Sequence, residues 1–217
     1  MTMNYYRVIQ STSIRSARIA FLLLSIAIFS TALFANTRAV NLSEMTSRAG
    51  RIVHGRVVEV RDGTHPKNEQ IAVTFVKIQV TDMIKGEAVR DFTFMQYGNS
   101  THLYVVHLPR YSVGEEVVLF LYAESKLGFT SPVGEGQGKF VVRDNVRSGQ
   151  RQLINEQLNR SLFDRLDAAK LTSKLALNKA EREVVAHPEG RAGEGLEFGA
   201  FRSLVRKIAA SPNANLQ

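Results

Sequence analysis

The chain of 217 residues contains no cysteine and no tryptophan, and only five prolines. Without cysteine there is no disulfide, no thiolate metal site, no cysteine nucleophile and no lipid-modified N-terminal cysteine. The absence does not argue for the cytoplasm, because many exported bacterial proteins also lack cysteine. It disfavours a eukaryotic secreted origin, where small domains are commonly stapled. Acidic residues are also missing before Glu44. Arg7, Arg15, Arg18 and Arg38 lie in this acid-free stretch, so half of the net charge of +8 belongs to the leader. Residues 151–217 hold eleven Lys and Arg against eight Asp and Glu, which leaves the middle of the chain close to neutral. A nucleic-acid binder concentrates charge on one face with aromatics interleaved. The distribution here predicts a mixed, solvated surface and no nucleic-acid partner.

Behind the first arginines, Ile19 to Phe29 form a compact apolar block, and Ser30 to Ala39 mix small and polar residues. This is the layout of a secretory signal peptide, with cleavage after Ala35 or after Ala39. The alternative is an uncleaved inner-membrane anchor, since Ile19 to Ala35 is at the short limit for a spanning helix. Either way the folded part is expected outside the cytoplasm, periplasmic or extracellular, and the membrane is touched only through the leader.

The richest stretch is Ile52 to Gly86, where two long β-branched runs flank a Gly-Thr-His-Pro-Lys-Asn segment, a hairpin pattern. Strands are expected at Arg51–Arg61 and Gln70–Thr81, with Met83 to Gly86 a turn. In the second, Ile71, Val73 and Phe75 share one face and Val76, Ile78 and Val80 the other. Such a switch predicts a bulge or a strong coil near Phe75–Val76. Further strands are expected at Ala88–Tyr97, Thr101–His107, Glu115–Ala123, Leu127–Thr130 and Lys139–Arg143. Both faces of Glu115–Ala123 are apolar, which predicts a covered central strand. Asn41 followed by Glu44 suggests a capped helix before the hairpin, with Leu42, Met45 and Ala49 on one face. Helical spacing is expected from Gln150 to Val185, and an amphipathic helix over Glu197–Ala210, with Phe198, Phe201, Leu204, Val205 and Ile208 as its stripe. The fold class is therefore mainly β with flanking helices (α+β): a small antiparallel barrel or sandwich with C-terminal helices packed on it. The expected segments are a leader (1–39), a β domain (40–145), a helical C-terminal extension (146–210) with a linker at 187–196, and a disordered tail (211–217).

Candidate chemistry is sparse. A metal site needs ligands converging on one face, but His102 and His107, five apart, would lie on opposite faces of a strand, about 17 Å apart. His54, His65 and His187 are isolated, so all five read as surface or loop histidines. Gly134 to Lys139 resembles a phosphate loop but is followed by Phe140 rather than Ser or Thr, and its glycines suit positive-φ positions of a hairpin. No Gly-x-Ser-x-Gly occurs. Glu115 and Glu116 are adjacent, point to opposite faces of a strand and read as solvated. Asn41, Asn99 and Asn159 fit the glycosylation pattern, which matters only in a eukaryotic source. No catalytic, cofactor-binding or metal residue is singled out.

The pattern Ala49, Ile52-Val53, Gly55 to Val58, Val60, then Val73-Thr74, Val76, Ile78, Val80 and Ile84-Lys85-Gly86, resembles uncharacterised exported bacterial proteins. Tyr111 to Leu121 and Ser131 to Val142 extend that match. The pattern is also similar to netrin-module or metalloprotease-inhibitor-like barrels. The resemblance implies an oligonucleotide/oligosaccharide-type (OB) barrel used for protein contact. The inhibitors grip the catalytic metal with an N-terminal cysteine and carry disulfides, so their chemistry does not transfer to a chain without cysteine.

The expectation is a non-enzymatic exported binding or accessory module with no cofactor, contacting another exported protein through the Gly63–Asn68 loop, the Gly98–His102 turn or the Lys126–Gly138 segment. An exported hydrolase with an unrecognised site and a membrane-anchored envelope protein are the alternatives. If the leader is removed, N-terminal sequencing of the exported protein will begin at Asn36 or Val40. A start at Met1 or Thr2 would establish the anchor instead.

Overall fold

The computed structural model describes residues 38–101, 103–146, 148–190, 195–212 and 216. The leader lies outside the described residues apart from Arg38 and Ala39. Residues 39–217 group as one unit, separate from 1–38, and the description that follows concerns that unit.

Its framework is a long hairpin of β1 (Arg51–His65) and β2 (Asn68–Lys85), turned by Pro66-Lys67 alone. Both strands outrun the expected bounds, and the stretch expected to turn at Met83 continues as strand. The other strands are β3 (Asp91–Tyr97), β4 (Glu116–Leu121), β5 (Lys139–Asp144), β6 (Arg151–Asn155) and β7 (Leu196–Glu197). Every ladder is antiparallel, in the order β3-β2-β1-β4-β5-β6-β7. The ladders leave the sheet open. Two isolated bridges tie the 122–133 segment to it, Met95 with Phe129 in parallel and Leu121 with Pro132. The helices are α1 (Leu42–Arg48), α2 (Ala168–Lys174), α3 (Lys179–Ala186) and α4 (Phe198–Ala210). The architecture is thus α+β, mainly antiparallel sheet.

Extra residues in the hairpin explain how it coils. Register shifts leave Val58 unpaired on β1, and Thr81 and Ile84 unpaired on β2. Residues three apart on a regular strand face opposite ways, yet Val57 and Val60 pack on one cluster, as do Val80 and Met83. The bulges at Val58 and Thr81 make this possible, since one added residue flips the alternation and strengthens the twist. No bulge occurs at Phe75–Val76, where the register is unbroken against both β1 and β3. There the strand simply uses both faces: Val76 and Ile78 are buried on the inner cluster, and Val73 is buried on the other face. Gly55 is required where the strands cross closely, because a Cβ there would meet the Gln79 carbonyl oxygen.

Two apolar cores result. The inner one gathers Val53, Val57, Val76, Ile78, Phe94 and Tyr111 with Val117, Leu119 and Leu121 of β4. The other joins Val118 and Phe120 to Phe140, Leu153 and the helices. β4 is covered on both faces, as its sequence implied. Helix α4 lays Phe201, Leu204, Val205 and Ile208 into the second core, with Phe201 5.0 Å from the Phe140 ring and 6.4 Å from Phe120. The Glu197 carboxylate caps it, accepting from Gly199 N and Ala200 N. Helix α1 is capped by Asn41, whose side chain accepts from Glu44 N at 2.9 Å, and it buries Leu42 and Met45.

Three stretches depart from expectation. Thr101–His107 is not a strand: among the described residues, 98–115 is an irregular loop. Leu127–Thr130 makes only the Phe129 bridge. The helical pattern from Gln150 begins as β6, because β5 needs an edge partner and Leu153 reaches the core as well from a strand as from a helix. Helices start only at Ala168, after a turn region in which Leu158, Asn159, Ser161 and Arg165 take positive φ. Asn159, fully buried, holds that turn by accepting from Asn155 N and donating to the Leu153 carbonyl.

Without disulfides, buried amides tie distant segments. The Gln137 Oε1 accepts from Val40 N at 2.9 Å, and the Asn41 Nδ2 donates to the Asp164 carbonyl. Removing the ring at the centre of the second core is the sharpest test of this packing. Phe201→Ala should cost about 3–5 kcal/mol in urea denaturation, whereas Val146→Ala, at a 99% exposed position, should leave the midpoint unchanged.

Candidate functional site

Two polar constellations emerge from the sheet, one on each face. The first lies at the edge of α4. His54 on β1 and Glu116 on β4 meet at 2.6 Å between Nε2 and Oε1. Glu116 also accepts from Arg151 and lies 3.6 Å from Arg56. Asp82, the β2 partner of His54, binds Arg206 and Arg202 of α4. The Phe198 ring stacks 4.8 Å from His54, with the guanidinium carbons of Arg151 and Arg202 at 4.5 and 5.5 Å. Burial alone would raise the Glu116 pKa, but the hydrogen bonds from His54 and Arg151, with their charges, outweigh it and hold the group below the usual glutamate range. His54 is only 2% exposed, and the Glu116 side chain is 22% exposed. The cluster is a clamp between helix and sheet.

The second constellation follows from strand register. Val60, Val76 and Phe94 form one cross-strand row of the inner core, and two residues further along lies Asp62, Thr74 and Gln96 on the same face. The inner core therefore ends in a polar row, roofed by the 98–111 loop. A cavity of about 180 Å³ opens there, lined by this row together with Tyr97, Tyr104 and Tyr111. Asp62 pins the loop, accepting from Ser100 N at 3.1 Å, from Thr101 Oγ1 at 3.0 Å and from Ser100 Oγ. The Ser100 hydroxyl contributes most to holding the Asp62 pKa below the usual range; burial opposes it, and Thr101, the Ser100 amide and Thr74 assist. Tyr111 packs edge-on against Phe94 at 5.5 Å. Burial, then the charges of Glu115 and Glu156, push its phenol well above the usual tyrosine range.

The loops singled out from sequence touch one another nearby, although of them only Gly98, Asn99 and Ser100 line the cavity. The Asn99 side chain donates to the Gly63 carbonyl at 3.4 Å. His65 contacts the Leu127 carbonyl at 2.9 Å, and Phe129 packs against His65 at 5.2 Å and edge-on against Tyr97 at 6.0 Å. The Gly134–Gly138 end of the third segment does not join them. It forms a 3₁₀ turn rather than a hairpin, with only Gly134 of its glycines at positive φ. A Cβ at Gly136 would displace the Glu156 carboxylate.

Several other readings change. His54 and His65 are buried rather than at the surface: each packs against a phenylalanine ring, and the Nε2 of each meets a carboxylate or carbonyl oxygen. His187 is half-exposed beside Glu183 at 3.5 Å, His107 sits in the loop at positive φ, and His102 lies outside the described residues. Glu115 and Glu116 do point apart, but neither is simply solvated: Glu115 pairs with the buried Lys139 at 2.8 Å, as Glu116 does with His54. Asn41, Asn99 and Asn159 are all buried, so the folded domain presents none of them to a glycan. Among the described residues no group of three or more metal-ligating side chains converges, and no helix is long and apolar enough to cross a membrane.

Asp62, Thr74, Gln96 and Tyr111 were not identifiable as a site from sequence. Their signal, a polar residue two positions beyond a core residue on each of three strands, needs the register to be read.

The Glu116 shift has a pH consequence. The unfolded chain protonates this carboxyl at the ordinary glutamate pKa and the folded chain only at lower pH. Its contribution to stability is therefore complete above the ordinary value and is lost as pH falls through the folded value. Acid titration of urea midpoints should show wild type losing stability across this range more steeply than Glu116→Gln; parallel curves would remove Glu116 from the acid response.

Compared with protein-family models, with curated proteins and with solved structures, the chain matches none.

Proposed function

We propose that the chain is an exported, non-enzymatic module that binds another exported protein through the loop end of its sheet. The observation that carries this reading is that the tip of the β1–β2 hairpin touches both the 98–111 loop and the 125–130 segment, with the 98–111 loop also bordering a cavity of about 180 Å³. Exposed apolar side chains gather on these segments, with Tyr104 at 56%, Val106 at 59% and Leu127 at 56%. Exposed apolar surface grouped in this way favours a contact role, and loops held by a rigid scaffold are frequent binding elements.

The OB-type reading supports the same face. The strand order β3-β2-β1-β4-β5, with the single parallel bridge from Met95 to Phe129, is compatible with such a barrel. In that barrel type the loops following the first and fourth strands border the ligand face. Here those are the Pro66-Lys67 turn and the 122–130 segment.

Export with cleavage after Ala35 is the form of the leader reading that best suits the domain. The Ala39 carbonyl accepts from Arg165 and Val40 N donates to Gln137. Cleavage after Ala39 would remove the first and put a charged amine on the buried Val40. Hydrolysis finds less support, since the His54 ring of the pair with Glu116 is buried against Phe198.

Photo-crosslinking side chains placed at Tyr104 and at Leu127 should each give one discrete adduct with an exported protein, and the same group at Val146 none. Adducts only from Val146, or none from any position across growth conditions, would reject this face.

A further inference from the structure

Among the described residues, the buried side-chain atoms without a hydrogen-bond partner, Gln96 Oε1 and Tyr111 Oη among them, are closed to solvent. The accessible unpaired groups are main-chain ones, and they lie in the roof of the loop end. Leu103-Tyr104-Val105-Val106 is an apolar run rich in strand formers, yet it belongs to no strand of the sheet. Its exposure alternates: Tyr104 and Val106 are more than half exposed, and Val105 between them is half-buried. Val105 rests over Gly98, where a Cβ would meet its Cγ2. Such alternation is the period of a strand with one face on the protein and the other in solvent. His107, at positive φ, ends the run.

Residues two apart on a strand direct their N–H and C=O groups to the same edge. Tyr104 and Val106 are such a pair, and among the described residues neither main chain makes a hydrogen bond. The run is held only at its start, where Asn99 N donates to the Leu103 carbonyl at 2.9 Å and Asn99 Oδ1 accepts from Leu103 N at 3.2 Å. An unpaired strand edge is a template for a strand of another chain, and strand addition is a recurring mode of peptide recognition.

Charge around the run selects the occupant. Between Asp91 and Glu115 the chain has no acidic residue, and its one Lys or Arg there is Arg110. Arg110 is exposed and stacks its guanidinium over the Tyr104 ring at 4.6 Å. Among the described residues it has no carboxylate partner. Asp62, the acid that meets this loop, is bound to Ser100 and Thr101 instead. A second copy of the chain would offer the same acid-free run and another Arg110, so self-pairing would leave the cation unmatched. An acidic strand from a different protein matches it.

We propose that Tyr104–Val106 pairs edge to edge with an extended acidic segment of the exported partner, which bonds the main chain of Tyr104 and Val106 and sets a carboxylate against Arg110. This inference rests on the reading of the loop end as a contact surface and adds how the partner is recognised there: as a strand, and by charge.

A displayed library of random dodecapeptides, selected on the full chain, is the probe. Recovered peptides should alternate β-branched or aromatic residues with Asp or Glu. Methylating the main-chain nitrogens along one edge of such a peptide should weaken it about tenfold, and methylating the other edge should not. Val106→Pro, which removes one N–H at an exposed position, should weaken it equally with the rest of the NMR spectrum unchanged. Arg110→Glu should turn the selection toward Lys and Arg. Recovery of no peptide, peptides without an acidic excess, methylated forms indistinguishable from each other, or equal binding by Val106→Pro would overturn the proposal. The methylated peptides decide alone should Val106→Pro fail to fold. A wild-type dimer in sedimentation velocity that Val106→Pro dissociates would give the edge to a second copy and refute the acidic partner. Adducts from Tyr104 persisting alongside any of these negative results would leave the contact surface standing and refute only the strand. Loss of both would refute both.

Discussion

The bulged pairing of β1 with β2 is the constraint on which the rest of this domain depends. A regular hairpin of this length would send Val60 and Met83 away from the core that Val57 and Val80 occupy. The unpaired Val58 and Thr81 restore both to the inner face, and the added twist curls β3 over that face. The strand pair thus holds an apolar interior on one side while its other face accepts α4. β4, with Val117, Leu119 and Leu121 inward and Val118 and Phe120 outward, is the wall between the two cores. Gly55 marks where the coil is tightest, and any side chain there would force the strands apart.

The two faces handle buried polar groups differently. Under α4 the carboxylates of Glu116 and Asp82 are surrounded by arginines from the sheet and the helix, and the arrangement fixes where the helix lies. At the loop end, Asp62 is equally saturated, but by hydroxyls and one amide of a loop, and the adjoining Gln96 and Tyr111 are left with unmet hydrogen-bonding atoms. Long-range amide contacts from Gln137 and Asn41 do in this cysteine-free chain what cross-links do elsewhere: they tie the start of the domain to segments more than 90 residues away.

Much of the architecture was legible. The hairpin, the doubly covered β4, the Asn41 cap and the apolar stripe of α4 all follow from local periodicity, because each depends on residues two to four apart. Elements whose identity depended on partners were less legible. Leu153 and Ile154 fit a helix as well as a strand, and only the free edge of β5 selects the strand. Thr101–His107 has strand composition but no edge to pair with, so it becomes the roof of the cavity. His54 and His65 could not be placed by spacing, since their burial depends on Phe198 and Phe129, far away in sequence.

Composition and pattern by themselves determined the absence of thiol chemistry, the α+β class and the strands that bear the core, because these depend on side-chain type and short-range spacing. Tertiary structure alone decided where the polar groups meet. Asp62, Thr74, Gln96 and Tyr111 lie on three strands and a loop, and they share one cavity only because the bulge at Val58 sets the register that lines them up. A single residue more or less in that strand would turn Asp62 to the opposite face, and nothing in the local sequence announces which outcome holds.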